Sequence, residues 1–277
     1  MGGSCICDGD VVPTDHAANH PMLKRLSSRD YAMMAVFSLT VFVSASLLFV
    51  VQPMVGKLIL PELGGSSSVW TTCMLFFQSM LVVGYVYAHY LARHVEPARQ
   101  IWVHLAVIAA AGLVGLPLGV PADLLDPEGA PALSLLLALF VGAGLPAFVV
   151  STSAPLFQRW YAYTDHPDAD DPYYLYAASN VGSMLALVGY PFVIEPLVGV
   201  DTQRIAWSVG FALLGLLAAG CAWFLSRRAR RSPTGAGTDR AADSDAPKLT
   251  WRRRAVWIGW AFLPSSLMLG LTEYMTT

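Results

Sequence analysis

Charged residues are scarce in this sequence: Asp, Glu, Lys and Arg make up 13% of its 277 residues, against about 25% in soluble domains. Hydrophobic residues make up 55% of the chain, and the mean hydropathy is +0.53. These values exclude an ordinary soluble domain and predict an all-α integral membrane protein. The net charge is −2 and the basic residues are segregated into loops, so no nucleic-acid partner is predicted.

Cysteine is also scarce, with four residues in the chain. Cys73 and Cys221 lie in apolar stretches and are expected to be small core residues. Cys5 and Cys7 form a single Cys-x-Cys in a polar tail, which falls short of the three or four ligands of a zinc site. The sequence therefore predicts no metal and no cofactor.

Common catalytic patterns are absent as well. The sequence has no Walker loop, no zinc-protease motif and no Ser-His-Asp arrangement. We therefore predict that this chain is not itself an enzyme. The first apolar run begins behind a polar tail and is longer than the core of a signal peptide, so we expect no cleavable signal.

Long apolar runs are abundant. A helix needs about 20 residues to cross a bilayer, and the sequence predicts seven such spans. The prediction comprises a tail over residues 1–30 without ordered structure, a six-helix membrane domain over 31–226, a cytoplasmic basic and polar linker over 227–250, and a seventh helix over 251–277. Pro146 and Pro155 are expected to break the fourth span. The predicted spans are Tyr31–Gln52, Val69–Leu91, Ile101–Leu118, Ala132–Leu156, Tyr173–Pro196, Ile205–Leu225 and Ala255–Met275.

Basic residues predict the orientation, because cytoplasmic loops of membrane proteins are enriched in Lys and Arg. With the N-terminus in the cytoplasm, every Lys and Arg except Lys57 and Arg204 faces inward. The opposite orientation inverts this bias. The sequence therefore predicts a multi-pass membrane protein with a cytoplasmic N-terminus and contacts to the lipid bilayer.

The fifth span carries a face of small residues. Ala178, Gly182 and Ala186 recur every fourth residue, which allows another helix to approach closely. Asn180 points away from this face. We therefore expect this helix to lie at the centre of the bundle, in contact with at least two others, with Glu195 near Lys57.

Five polar or charged residues within or beside the spans are candidates for a site. Lys57 and Glu195 either pair with each other or reach water separately. Gln52, Gln78 and Asn180 either line a polar cavity for a cation or polyamine or form hydrogen bonds between helices.

The histidines at the cytoplasmic ends of the spans invite a separate prediction. His89 and His104 lie at or near these ends. We expect them to occupy the membrane interface rather than a proton relay.

Three segments carry a resemblance to a known family. They are Gln52–Trp70 (QPMVGKLILPELGGSSSVW), Tyr173–Ser183 (YYLYAASNVGS) and Phe262–Gly270 (FLPSSLMLG). In this order they resemble the membrane region of bacterial fused major-facilitator/spermidine synthase-like proteins. The resemblance covers residue 31 to the end of the chain and implies the N-terminal half of a major-facilitator fold plus one further helix.

The sequence departs from that family in two respects. No segment resembles the family's aminopropyltransferase-like domain, so no residue is assigned a transferase role. The transporter signature between the second and third helices, a Gly followed by Asp-Arg and a basic pair, is also absent after Gly84.

The resemblance implies a non-catalytic membrane module of a bacterial inner membrane. Such a module acts as the anchor or subunit of a larger membrane assembly, with a membrane-protein partner, self-association or an aminopropyltransferase-like domain to complete it. Two alternatives stay open: half of a transporter for polyamines or organic cations, and a truncated membrane-bound aminopropyltransferase-like enzyme whose catalytic domain is absent from this sequence.

Overall fold

A computed structural model describes residues 27–164, 166, 168–169, 172–231 and 250–276, and this part of the chain is helical with no strands. A three-residue turn of 3-10 helix, Ala122–Leu124, connects the third and fourth helices. The long helices are α1 Ser28–Leu63, α2 Ser67–His94, α3 Pro97–Gly115, α4 Pro131–Tyr161, α5 Tyr173–Gly189, α6 Val200–Arg231 and α7 Trp251–Thr276.

Six of these helices, α1 to α6, are long and apolar enough to cross a membrane. The chain is therefore an all-helical, multi-pass membrane protein. The sequence predicted seven spans, and among the described residues six meet these criteria. The seventh predicted span forms the helix α7, and its crossing of the membrane stays a prediction.

Two helices extend beyond the predicted domain boundaries. Helix α1 begins at Ser28 because Ser27 and Asp30 form a reciprocal capping box, which satisfies two backbone N–H groups at the helix start. Helix α6 continues through Arg231, so the start of the predicted linker is helical; arginine is a good helix former. Residues 1–26, with Cys5 and Cys7, and residues 232–249 lie outside the described part.

The prolines do not break the helices. The predicted break of the fourth span is wrong, since α4 is one helix with Pro146 and Pro155 inside it. Pro53 and Pro61 likewise lie within α1. Proline inside a helix removes a backbone hydrogen bond, but neighbouring helices in a membrane bundle compensate for this loss. Half of the most apolar window of α4 is buried by such neighbours.

Helices α1 and α4 form the centre of the bundle. Helix α1 contacts α4, α5 and α6, while α4 also contacts α2 and α3. Helices α3 and α6 also contact each other. Helix α5 packs mainly on α1, and only 17% of its apolar window is buried. The prediction that the fifth span is central is therefore wrong. The predicted contact with a second helix is present, because the Tyr174 ring of α5 meets the Tyr161 ring of α4 edge-on at 5.6 Å between centroids.

The helix contacts have an internal symmetry. Suppose that α1, α2 and α3 are exchanged with α4, α5 and α6, in that order. The α1–α5 contact then becomes the α4–α2 contact, and the α1–α6 contact becomes the α4–α3 contact. All four of these contacts are present. The bundle is thus built from a first unit, α1–α3, and a second unit, α4–α6. Because each unit has three helices, two successive units that cross a membrane run in opposite directions.

Candidate functional site

The structure brings together the two charged residues for which the sequence left two alternatives. The Lys57 Nζ of α1 lies 3.8 Å from the Glu195 Oε1 and donates a hydrogen bond of 3.4 Å to the Glu195 backbone carbonyl. The side chains remain 32% and 49% exposed, respectively. They therefore form an ion pair at the surface of the bundle, rather than a pair enclosed within it.

A local irregularity positions Glu195. After Gly189 the chain forms a π-helical turn, Tyr190–Ile194, in which the Glu195 N–H bonds to the Tyr190 carbonyl five residues earlier. Pro191 lies inside this turn and has no N–H for an ordinary helical bond. A π turn rotates the residues that follow it and is frequent at functional sites. The sequence analysis noted Pro191 and Pro196 but did not predict this turn.

The three candidate amides do not converge on one cavity. Gln52 is half-buried and its Nε2 donates 3.3 Å to the Leu48 carbonyl of its own helix. Gln78 on α2 and Asn180 on α5 are exposed. Neither of these two side chains has a hydrogen-bond partner within the described ranges, so neither forms the interhelical bond that was one alternative.

The small-residue face of α5 packs on α1. Gly182 and Ala186 are buried, and Ala178 is half-buried. A Cβ added at Gly182 would lie 2.6 Å from the Phe42 carbonyl oxygen, and the Ser46 hydroxyl donates 3.2 Å to the Gly182 carbonyl. This face is therefore a close helix crossing, as its spacing predicted, but with one principal neighbour.

The crossing of α5 on α1 has a counterpart between α2 and α4 that the sequence analysis missed. Gly84 of α2 meets α4, where an added Cβ would lie 3.0 Å from the Ser151 Cβ. Both glycines follow a valine and precede an alanine by four residues. The segments they meet are also alike, Val-Ser-Ala-Ser from residue 43 and Val-Ser-Thr-Ser from residue 150. These short repeats are the signal that could have revealed the two units.

A second repeated feature, a buried glutamine with two hydrogen bonds, lies at the start of α3 and at the start of α6. The buried Gln100 donates from Nε2 to the Val95 carbonyl at 2.7 Å, and the buried Gln203 does the same to the Val198 carbonyl at 2.8 Å. Each glutamine also accepts a bond through Oε1, from Trp160 Nε1 at 3.0 Å and from the Tyr190 hydroxyl at 2.9 Å. The sequence signal is a valine five residues before a glutamine in both units.

The structure also corrects the prediction for His104. His104 is fully buried rather than at the interface, and neither of its ring nitrogens has a hydrogen-bond partner among the described residues. Its ring lies 6.0 Å from Tyr87, 5.9 Å from Phe157 and 5.9 Å from Trp160, measured between centroids. We call this surrounding the aromatic chamber. His89, by contrast, is exposed, which is compatible with its predicted interface position.

Comparison of the chain with family models, curated proteins and solved structures gives no match. The likeness to fused major-facilitator/spermidine synthase-like proteins therefore stays a prediction that rests on its three segments. In the part of the chain that the structure describes, no three His, Cys, Asp or Glu side chains lie together in a metal-binding arrangement.

The Lys57–Glu195 pair leads to a first testable prediction. We expect the double variant Lys57→Gln/Glu195→Gln to be more stable than the sum of the single variants implies, by about 0.2–1 kcal/mol, as for other exposed pairs. Chemical unfolding in detergent measures the four free energies. Glu62→Gln on the exposed end of α1 is the control and should show no coupling to Lys57→Gln. Strict additivity at Lys57 and Glu195 would remove the pair from this account.

Proposed function

We propose that this chain is one module of a membrane transporter for organic cations or polyamines, completed by a second helical module. The single observation that carries this proposal is the doubled unit, in which α1–α3 and α4–α6 repeat the same contacts. Inverted repeats of this kind underlie many secondary transporters, whose binding sites lie near the bilayer midplane at the interface between repeats.

The exposed amides support a second module on the outside of α2 and α5. Gln78 and Asn180 lie well inside helices that cross the membrane, yet no side chain within the described residues satisfies them. An amide in hydrocarbon without a partner is costly. A partner module that leaves a water-filled passage along these helices would provide hydrogen bonds for both side chains and a polar route for a substrate.

A second candidate function is the non-catalytic anchor or subunit that the sequence favoured. The helix α7 favours it, because nearly all of its described side chains are exposed and, among the described residues, it makes no extensive contact with the six-helix bundle. Such a helix offers a large apolar surface to another membrane protein, to a second copy or to an attached aminopropyltransferase-like domain. The two candidates share the need for a partner and differ in whether water enters the interface.

The proposal includes the orientation that the basic residues predict. The N-terminus and the α2–α3 turn at Glu96 lie in the cytoplasm of a bacterium, and the α3–α4 connection lies outside. The Lys57–Glu195 pair then lies at the outer end of the bundle.

Cysteine labelling in native membranes distinguishes the two candidates. We expect Gln78→Cys and Asn180→Cys, in a background without native cysteines, to react with a small membrane-impermeant thiol reagent. Leu216→Cys on α6 is the matched control: it is 72% exposed in the middle of its helix, faces lipid in this proposal and should not react. Failure of both amide positions to react would favour the anchor and contradict the transporter.

A further inference from the structure

The aromatic chamber holds three polar atoms that make no hydrogen bond to the described residues: both ring nitrogens of His104 and the Tyr87 hydroxyl. A buried polar group without a partner costs about 1–3 kcal/mol. An apolar side chain at position 104 would remove two of these three atoms. In this conformation, therefore, the imidazole opposes stability, and sites that oppose stability are commonly functional.

The other unit shows what a purely structural residue does at the equivalent position. His104 follows Gln100 by four residues, and Trp207 follows Gln203 by four residues. Trp207 is buried, and its Nε1 donates 3.0 Å to the Leu47 carbonyl of α1. The second unit thus has a satisfied single donor where the first unit has an unsatisfied imidazole.

The surroundings of His104 leave Tyr87 as its one titratable neighbour. Among the described residues, α4 faces it with Phe157 and Trp160, α3 adds the neutral Gln100 one turn away, and no charged side chain acts on it. A protonated imidazole in this place would be stabilised by the aromatic rings through cation–π attraction and by the Tyr87 oxygen as an acceptor.

A hydrogen bond between two buried side chains lies between the chamber and the α2–α3 turn. Trp160 Nε1 donates 3.0 Å to Gln100 Oε1, and both side chains are fully buried. Gln100 lies in the first turn of α3, between His104 and the end of the bundle. Separation of these two side chains would open a short path from that end to His104.

We propose that His104 and Tyr87 form a proton-binding site that water reaches in a second conformation of the bundle. A hydronium ion that enters on this path gives its proton to the unprotonated ring nitrogen, leaving water, and the imidazolium returns the proton to water on the reverse passage. The inference rests on the proposed transporter and deepens it, because it identifies the proton as the coupling ion.

The fluorescence of Trp160 tests this site without a substrate or partner. The protein is placed in lipid nanodiscs, and the difference between the wild type and Trp160→Phe isolates the emission of Trp160. An adjacent imidazolium quenches indole emission. We expect the Trp160 component to fall reversibly as the pH is lowered from about 8 to about 4. His104→Gln should abolish this pH dependence, Tyr87→Phe should move it to lower pH, and His89→Gln, the matched control, should leave it unchanged.

A Trp160 component that is independent of pH in the folded wild type would overturn the proposal, as would quenching that persists in His104→Gln. If His104→Gln does not fold, nitrogen-15 spectra of labelled histidine in the wild type decide instead: a His104 ring that stays neutral throughout this pH range contradicts proton binding. Neither measurement involves Gln78 or Asn180. Unreactive cysteines at positions 78 and 180 would therefore contradict the transporter, whereas Trp160 fluorescence that is independent of pH would contradict the proton site.

Discussion

Gly182→Leu should disrupt the bundle and sharply reduce the yield of folded protein. The physical reason is the crossing of α5 and α1, where even a Cβ would lie 2.6 Å from the Phe42 carbonyl oxygen. That oxygen belongs to the backbone of a central helix and cannot turn aside as a side chain could. Overpacking in a core typically costs about 1–3 kcal/mol, and a contact with backbone belongs at the upper end. Unfolding in detergent and the monodisperse fraction after purification measure the effect.

Gly189→Leu is the matched control for this substitution. Gly189 ends the same helix, and a Cβ there would meet nothing within 4 Å. Both variants replace a glycine and therefore gain helix propensity, which is worth about 0.8–1 kcal/mol in a helix interior. We therefore expect Gly189→Leu to be neutral or slightly stabilising. Equal stability of the two variants would contradict the close crossing of α5 on α1.

Gln203→Leu should be the second large loss. The substitution leaves the Tyr190 hydroxyl and the Val198 carbonyl without the partners they have now, and each unsatisfied buried group costs about 1–3 kcal/mol. Gln100→Leu should cause a similar loss of stability, since it leaves Trp160 Nε1 and the Val95 carbonyl without their hydrogen-bond partner. The free energy of unfolding of each variant, measured in the same detergent, checks both values.

The control is Gln78→Leu, which removes an exposed amide without a hydrogen bond and should be tolerated or stabilising. Gln100 and Gln203 begin different helices of different units. Their losses should therefore add to within about 0.5 kcal/mol in the double variant. If Gln203→Leu is as stable as Gln78→Leu, the hydrogen bonds of Gln203 do not stabilise the start of α6, and the corresponding role of Gln100 at α3 loses its support.

The membrane spans were predictable because bilayer thickness imposes a long apolar run on each helix, whatever its neighbours are. The proximity of Lys57 and Glu195 was foreseeable for a similar reason: the topology assigns both residues to the same end of the bundle. The small face around Gly182 correctly indicated a close neighbour. It could not indicate how many neighbours α5 has, because a flat face carries information about one contact.

Other features depend on how helices rotate against each other, which spacing alone does not determine. Gln78 and Asn180 were predicted to face a cavity or another helix, and in the described residues both point outward. His104 lies near the start of the predicted third span, yet side chains of α2 and α4 enclose it. The repeat of the two units escaped notice because its matching segments are short and the connections between them differ in length.

The account depends above all on two inverted three-helix units, and one measurement tests this directly. Arg29 at the start of α1 and Glu128 before α4 are replaced by cysteine, one at a time, in a background without native cysteines. Both positions are exposed. Each variant is labelled in intact cells and in opened membranes with an impermeant thiol reagent. The account predicts that Glu128→Cys reacts from outside and Arg29→Cys only after the membrane is opened. Labelling of both from the same side would contradict it.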